Sequence, residues 1–306
     1  MDLQVIFLGT AGSIPTVQRA LPVIAIKRKN ELILFDCGEG AQRQMIRAKV
    51  GFHKKTKIFI THMHGDHVLG LPGLLQTMAL LDRREGLEIY GPVGIRAFIS
   101  AIEETVQFAR TFSISIKEIM DEGVVCEEKE YLVRAVKANH VVAAFAYALV
   151  EKPRPGRFNQ EQAKKLGVPK GPLWSKLQHG KCVRLSSVKI VKPEDVLGKS
   201  RLGRKIVYTG DTRPTKALVK LAKNADLLIH ETTLGDELKE RANEDGHSTP
   251  SEAAKIAKKA HVKQLVLTHI SARYKAPAPL LRQAKKTFKH VDVAEDFMRI
   301  ELKQFN

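Results

Sequence analysis

Only three cysteines, Cys37, Cys126 and Cys182, occur in 306 residues. Their number and wide spacing supply neither a CxxC pair nor a disulfide framework, so they read as buried or idle thiols. Long apolar runs are missing as well. None approaches the ~20 residues that a membrane span needs. The N-terminal Met1-Asp2-Leu3 opens a strand with no basic leader or cleavage signature, which predicts a cytoplasmic protein with no membrane partner. Acidic residues are scarce relative to basic ones, 33 against 51, for a formal charge of +18. Such a field suits a polyanion, although charge alone does not identify one. The turn Gly9-Thr10-Ala11-Gly12 lacks a complete GxGxxG and a following GK[ST], which excludes a phosphate loop.

What is present supports a folded α/β chain. The apolar fraction of 43% provides a core, and the length accommodates one large domain or two smaller ones. Strand-like runs Leu3 to Leu8, Val23 to Lys27 and Leu32 to Phe35 are joined by Gly- and Pro-bearing turns, as in a meander. A helix is predicted over Ala41 to Lys49. A second begins near Leu71, where Leu71, Leu74, Leu75, Met78 and Leu81 form a stripe for the core or a subunit interface. Thr249 as N-cap, Pro250 at the first position and Glu252 of a capping box mark another helix start.

The densest chemical signal is Thr61-His62-Met63-His64-Gly65-Asp66-His67, after the apolar run Lys57 to Ile60. In an extended segment residues i and i+2 point the same way, so His62 and His64 can face one metal ion. Asp66 and His67 then face a second. Four side chains cannot fill two such ions, and the missing ligands have to come from farther along. His140, Asp211 and His269 each follow a predicted strand, and strands ending side by side in a sheet would gather them at one rim. His230 repeats that pattern. His53, His179, His261 and His290 lie in polar or Lys-rich surroundings and read as solvent-exposed.

Residues Glu151 to Lys181 interrupt the pattern with four prolines and four glycines. Eight Lys or Arg stand there against two Glu, together with Phe158 and the lone Trp174. A short helical pattern covers Asn159 to Leu166. A long insertion of this kind is usually functional, and its charge predicts a projecting basic arm.

Two adjacent divalent ions favour phosphodiester hydrolysis. The expected division gives His62, His64 and His140 to one ion and Asp66, His67 and His269 to the other, with Asp211 bridging. Asp66 is also a candidate acceptor for a proton of the attacking water. The departing sugar oxygen needs a proton that metals do not supply, and His247, oriented by Glu231, is the candidate donor.

These motifs resemble the short form of the ribonuclease Z family, tRNA 3′-end processing endonucleases of the metallo-β-lactamase superfamily. The likeness rests on Phe7-Leu8-Gly9-Thr10, Pro15-Thr16, Arg19, Phe35 to Gln44, THMHGDH, Asn139-His140, Thr209 to Thr212, His230 to Thr233, Gly246 to Thr249 and Thr268-His269. It implies an α/β fold: a single αββα metallo-β-lactamase-like domain over 1–306, built from two mixed sheets flanked by helices. It further implies two zinc ions per subunit, with Mn or Fe suited to the same donors, a homodimer, and precursor tRNA as partner. Residues 151–181 would be the arm that grips the tRNA. There Lys152, Arg154, Arg157, Lys164, Lys165 and Lys170 would bind phosphates. The chain departs from common family residues at Ala20, Ala41 and Thr232. Another metal-dependent phosphodiesterase or hydrolase of the same fold, or an inactive RNA-binding scaffold, are the competing readings.

Overall fold

Most strands are apolar on both sides, so each sheet needs cover on both faces. The computed structural model, which describes residues 3–186 and 189–304, meets that need with a helix–sheet–sheet–helix arrangement. One seven-stranded sheet runs in spatial order 299–301, 3–9, 23–28, 31–35, 55–59, 87–92 and 114–119. The other runs 291–293, 264–268, 227–231, 205–208, 145–151, 131–137 and 123–127. Both are mixed. The first three strands along the chain that join the first sheet form the antiparallel meander, while Glu31–Phe35, Lys55–Phe59, Leu87–Pro92 and Ile114–Ile119 run parallel. Lys205–Tyr208, Leu227–Glu231 and Gln264–Thr268 are also parallel, connected through helices Lys216–Ala222 and Pro250–Lys259.

Side-chain alternation sorts the core into layers. In Leu3–Gly9, Val5 and Phe7 turn inward between the sheets, whereas Ile6 and Leu8 pack with Met45, Leu71 and Leu75 of the covering helices. On the second sheet Ile206 and Tyr208 face inward, and Val207 faces Leu218, Ala253 and Ile256. Each fully buried Leu, Ile or Phe contributes about 1.5–3 kcal/mol. Phe35 of the first sheet stacks on Tyr147 and Tyr208 of the second, with centroids 5.8 and 5.7 Å apart. Tyr147 Oη donates to the Ile60 carbonyl at 2.6 Å and Tyr208 Oη to Asp36 Oδ2 at 2.8 Å. The two sheets are therefore tied together immediately before the histidine-rich loop.

Helix Gly70–Leu80 buries Leu71, Leu74, Leu75 and Met78 completely, but it ends before Leu81, which is 46% exposed. The stripe is core as far as Met78 and turns to solvent beyond it. Helix Pro250–Lys259 starts as its sequence indicates, with Glu252 Oε2 accepting the Thr249 amide at 3.1 Å. Cys37 and Cys126 are buried, Cys182 is exposed, and all three are free thiols. The strands preceding His140, Asp211 and His269, namely Tyr131–Lys137, Lys205–Tyr208 and Gln264–Thr268, share the second sheet as expected, whereas Lys55–Phe59, which leads to the histidine-rich loop, belongs to the first.

The chain divides into two compact units, residues up to 150 with 204–303, and residues 151–203. The smaller unit thus continues past Lys181. It holds helices Gln160–Lys165 and Pro172–Gln178 and an antiparallel pairing of Val183–Arg184 with Ile190–Val191. Its core consists of Ala163, Val168, Trp174, Leu177, Val183, Val191 and Val196. Trp174 is an anchor inside this core rather than a surface aromatic: it is 9% exposed, its Nε1 donates to the Val168 carbonyl at 2.9 Å, and its ring lies 5.2 Å from that of Phe158. Arg157, Lys164, Lys165 and Lys170 are exposed, and Lys152 and Arg154 are half-buried.

Candidate metal centre

After Lys55–Phe59 the chain stays extended through His64, whose φ and ψ are −66° and 146°, and then turns into the short helix Gly65–Val68. The extended part places His62 Nε2 3.0 Å from His64 Nδ1. The helical turn swings Asp66 and His67 away, so that Asp66 Oδ2 lies 3.4 Å from His67 Nε2. Strand ends of the second sheet complete two groups. His140 Nε2 comes to 3.3 Å from His64 Nδ1, and His269 Nε2 to 3.3 Å from both His67 Nε2 and Asp66 Oδ2. Asp211 Oδ2 sits between the groups, 3.7 Å from His62 Nε2, 3.5 Å from His67 Nε2 and 3.4 Å from His269 Nε2.

These separations suit a divalent ion. Ligands held at about 2.0–2.1 Å around a tetrahedral ion lie about 3.3 Å from one another. Three ring nitrogens converging on one point cannot satisfy each other by hydrogen bonds alone, since each nitrogen carries either a proton or a lone pair. Asp211 Oδ1 is buried and has no hydrogen-bond partner among the described residues, which an ion would relieve. The residues present therefore fit a pair of metal ions in donor type and spacing.

The far nitrogen of each imidazole is also fixed. His62 Nδ1 meets Thr61 Oγ1 at 2.9 Å, His67 Nδ1 meets Asp36 Oδ2 at 2.7 Å, His140 Nδ1 meets the Gly246 carbonyl at 2.8 Å, and His269 Nδ1 meets Thr233 Oγ1 at 2.8 Å. Such partners set tautomer and ring orientation. Asp36 is the hub. Fully buried at φ 58°, it accepts the Thr61 amide at 2.7 Å, the Thr61 hydroxyl and the Tyr208 hydroxyl besides facing His67. Sequence reasoning assigned no role to Asp36, Thr61 or Thr233. A carboxylate stranded between buried Phe35 and Cys37 was the available signal.

Electrostatics follow from this packing. Burial, reinforced by the neighbouring His67, pushes the His62 imidazole down to about 2, and burial likewise lowers His140. For His67 burial is outweighed by Asp36 and Asp211, which raise it well above its ordinary value. Asp66 is held far below the carboxylate range despite burial, by hydrogen bonds from His269 and His67. Without a metal, protons on the histidines must balance the carboxylates, so binding an ion releases them.

His247 stands beside both groups, its ring 5.1 Å from that of His140 and 5.6 Å from that of His269. Its Nδ1 lies 3.1 Å from Glu231 Oε1. Glu231 is completely buried and is oriented by the amides of Thr212, Thr233 and Ser248 at 3.2, 3.0 and 2.9 Å. Although burial opposes it, the Glu231 carboxylate raises His247 to about 9, and His247 in turn keeps Glu231 low against its own burial. His230 joins neither group: it is buried in its strand, with Nδ1 2.8 Å from the Glu231 carbonyl. His53, His179, His261 and His290 are exposed.

Known proteins share this fold. A family model described as a beta-lactamase superfamily domain matches residues 186–270, and one described as anti-Pycsar protein Apyc1 matches residues 3–150. Ribonuclease Z of Methanosarcina acetivorans is 49% identical over 98% of both chains. Ribonuclease Z of Nitrosopumilus maritimus is 46% identical over 98% of this chain and 100% of that one. The crystal structure of human tRNase Z, short form, superposes with a TM-score of 0.72 at 32% identity, covering 97% of this chain and 98% of its own. With this identity sustained from end to end, and the fold in common, the chain belongs to the ribonuclease Z family.

Proposed function

We infer that this protein is an endoribonuclease that removes the 3′ trailer from tRNA precursors by hydrolysing one phosphodiester. The observation that carries the reading is Asp211 Oδ2 lying within 3.4–3.7 Å of His62, His67 and His269, between two ligand groups with a carboxylate-held imidazole beside them. His62, His64 and His140 would hold one ion, Asp66, His67 and His269 the other, and Asp211 both. Zinc is the proposed metal, and Mn or Fe suits the same donors. Two such ions, when bound, supply Lewis acidity and lower the pKa of water.

The chain's own residues handle the protons. Water oxygen bonds to phosphorus as the bond from phosphorus to the 3′ oxygen of the tRNA breaks. Asp66, whose Oδ2 accepts the Ser13 amide at 3.0 Å, would take the water proton through its other carboxylate oxygen. His247, kept protonated by Glu231, donates to the departing 3′ oxygen. The products are a tRNA 3′-hydroxyl and a trailer 5′-phosphate. Cations of the 151–181 segment, Lys152, Arg154, Arg157, Lys164, Lys165 and Lys170 among them, would bind tRNA phosphates without reading sequence.

A homodimer is proposed as well, supported by exposed Ile46, Leu69 and Leu80 on or beside two neighbouring helices, at 59, 52 and 79%. The cytoplasm is the proposed location, as the compartment of tRNA precursors. Among the described residues no helix is long and apolar enough to cross a membrane.

The decisive experiment incubates purified protein with a 3′-extended tRNA precursor, with and without chelator, and maps the product ends. A single metal-dependent cut leaving a tRNA 3′-hydroxyl is expected. Trimming one nucleotide at a time, or no cleavage by metal-replete protein, would overturn the reading and favour another hydrolase of the same fold.

A further inference from the structure

Arg213 lies two residues beyond Asp211, yet its side chain turns away from the ligand groups. Its Nε donates to the Asn243 carbonyl and its Nη2 to the Glu244 carbonyl at 2.9 Å, while Nη1 reaches Asn139 Oδ1 at 3.3 Å. Asn243 and Glu244 are the last residues of helix Lys239–Glu244, and carbonyls at a helix C-terminus have no partner within the helix. A planar guanidinium presents donors to both in a fixed fork, which an ammonium does not.

The clamped helix end leads directly into the candidate proton donor. Gly246, at φ 85°, turns the chain into His247, whose amide returns to the Ala242 carbonyl at 2.7 Å. The same turn supplies the Gly246 carbonyl to His140 Nδ1. On the other side, the Arg213 amide donates to the Asn139 carbonyl at 2.8 Å, and the Asn139 amide to Thr212 Oγ1 at 3.0 Å. One side chain thus joins the strand-end loops carrying Asp211 and His140 to the turn that carries His247.

We propose that Arg213 is a positioning residue for the proton donor: it fixes where the His247 imidazole sits relative to the departing oxygen, without touching substrate. The proposal rests on the donor role given to His247. A shift of about 1 Å in such a group costs about 100-fold in rate.

Leaving-group chemistry separates this role from a structural one. The 3′ oxygen of an RNA leaves as a strongly basic alkoxide unless protonated, whereas 4-nitrophenolate leaves bis(4-nitrophenyl) phosphate without help. Turnover of precursor tRNA and of the aryl diester is measured for wild type, Arg213→Ala, Arg213→Lys, His247→Ala and the Arg213→Ala/His247→Ala double variant, together with bound metal.

Arg213→Ala is expected to lower kcat on precursor tRNA by about 10- to 100-fold with KM and metal content unchanged, to leave the aryl diester within about twofold, and to add nothing in the His247→Ala background. Arg213→Lys should recover part of the loss. Loss on both substrates, loss of metal, or an additive effect on top of His247→Ala would overturn the proposal. Should Arg213→Ala not fold, Asn139→Ala removes one leg of the clamp and must show the same substrate selectivity in milder form. If His247→Ala itself turns over precursor tRNA normally, the donor assignment fails, an outcome distinct from failure of Arg213 alone.

Discussion

The ligand-bearing rim and the small 151–203 unit use polar residues in opposite ways. At the rim they are buried and multiply bonded: Asp36, His62, His67, His269 and Glu231 are at most 1% exposed, and each meets fixed partners. In the small unit most of the described cations are exposed, and seven apolar residues make up the buried core. Function at the rim depends on positions to within fractions of an ångström. In the small unit the proposed phosphate binding would depend on summed charge, which salt screens and which tolerates loss of a member.

The largest effect is expected from Asp211→Ala, which removes the one carboxylate shared by both ligand groups. Cleavage should fall to background, and elemental analysis should show metal loss with the far-UV circular dichroism unchanged. Retained metal with retained activity would dissolve the distinction between the two regions. Next comes His247→Ala, expected to lower turnover by about 10²- to 10⁴-fold while metal stays bound. In metal-free protein the His247 imidazole should titrate near 9 by NMR, and lower in Glu231→Gln. Its raised folded pKa means that the pair's stabilisation is complete below the unfolded value of about 6.5 and disappears as pH rises through about 9.

In the small unit a clean excision is available. A Cβ on Gly203 would lie 2.0 Å from the Glu151 carbonyl oxygen, so residues 152–202 can be removed with their ends already adjacent. The excised protein should bind precursor tRNA weakly but hydrolyse bis(4-nitrophenyl) phosphate normally; equal loss of both activities would make the segment structural. Trp174→Ala should imitate the excision, since losing a buried Trp costs about 3–5 kcal/mol and the core there is small. The smallest effect belongs to single changes such as Lys164→Ala, which should lower the salt dependence of log K by about 0.7–0.9 for each phosphate no longer neutralised, leaving kcat unaltered.

The residues that converge at the rim were largely legible because the physics is local. HxHxDH shows the two-residue period of an extended segment in its order of residues, whereas the helical turn of Gly65–Val68 came from the structure. The other ligands were visible as polar residues following apolar runs. What escaped was pairwise and distant. Asp36 serves His67 and Tyr208, and Arg213 serves a helix end thirty residues away. The apolar flanks of Asp36 hint at burial but not at its partners, and nothing beside Arg213 points to the helix end it binds. Trp174 illustrates the same limit: composition drew attention to it, but only packing against Phe158 and the Val168 carbonyl made it a core anchor.

By itself the sequence determined the strands, the helix starts, the charge and the ligand types, because periodicity, capping and side-chain chemistry act over a few residues. Tertiary structure alone decided that the histidine-rich loop of one sheet meets the other candidate ligands at the rim of a second, that the small unit continues to residue 203, and which buried groups orient each imidazole. Those outcomes depend on how two layers meet, and the distances between layers are set by packing across the whole core.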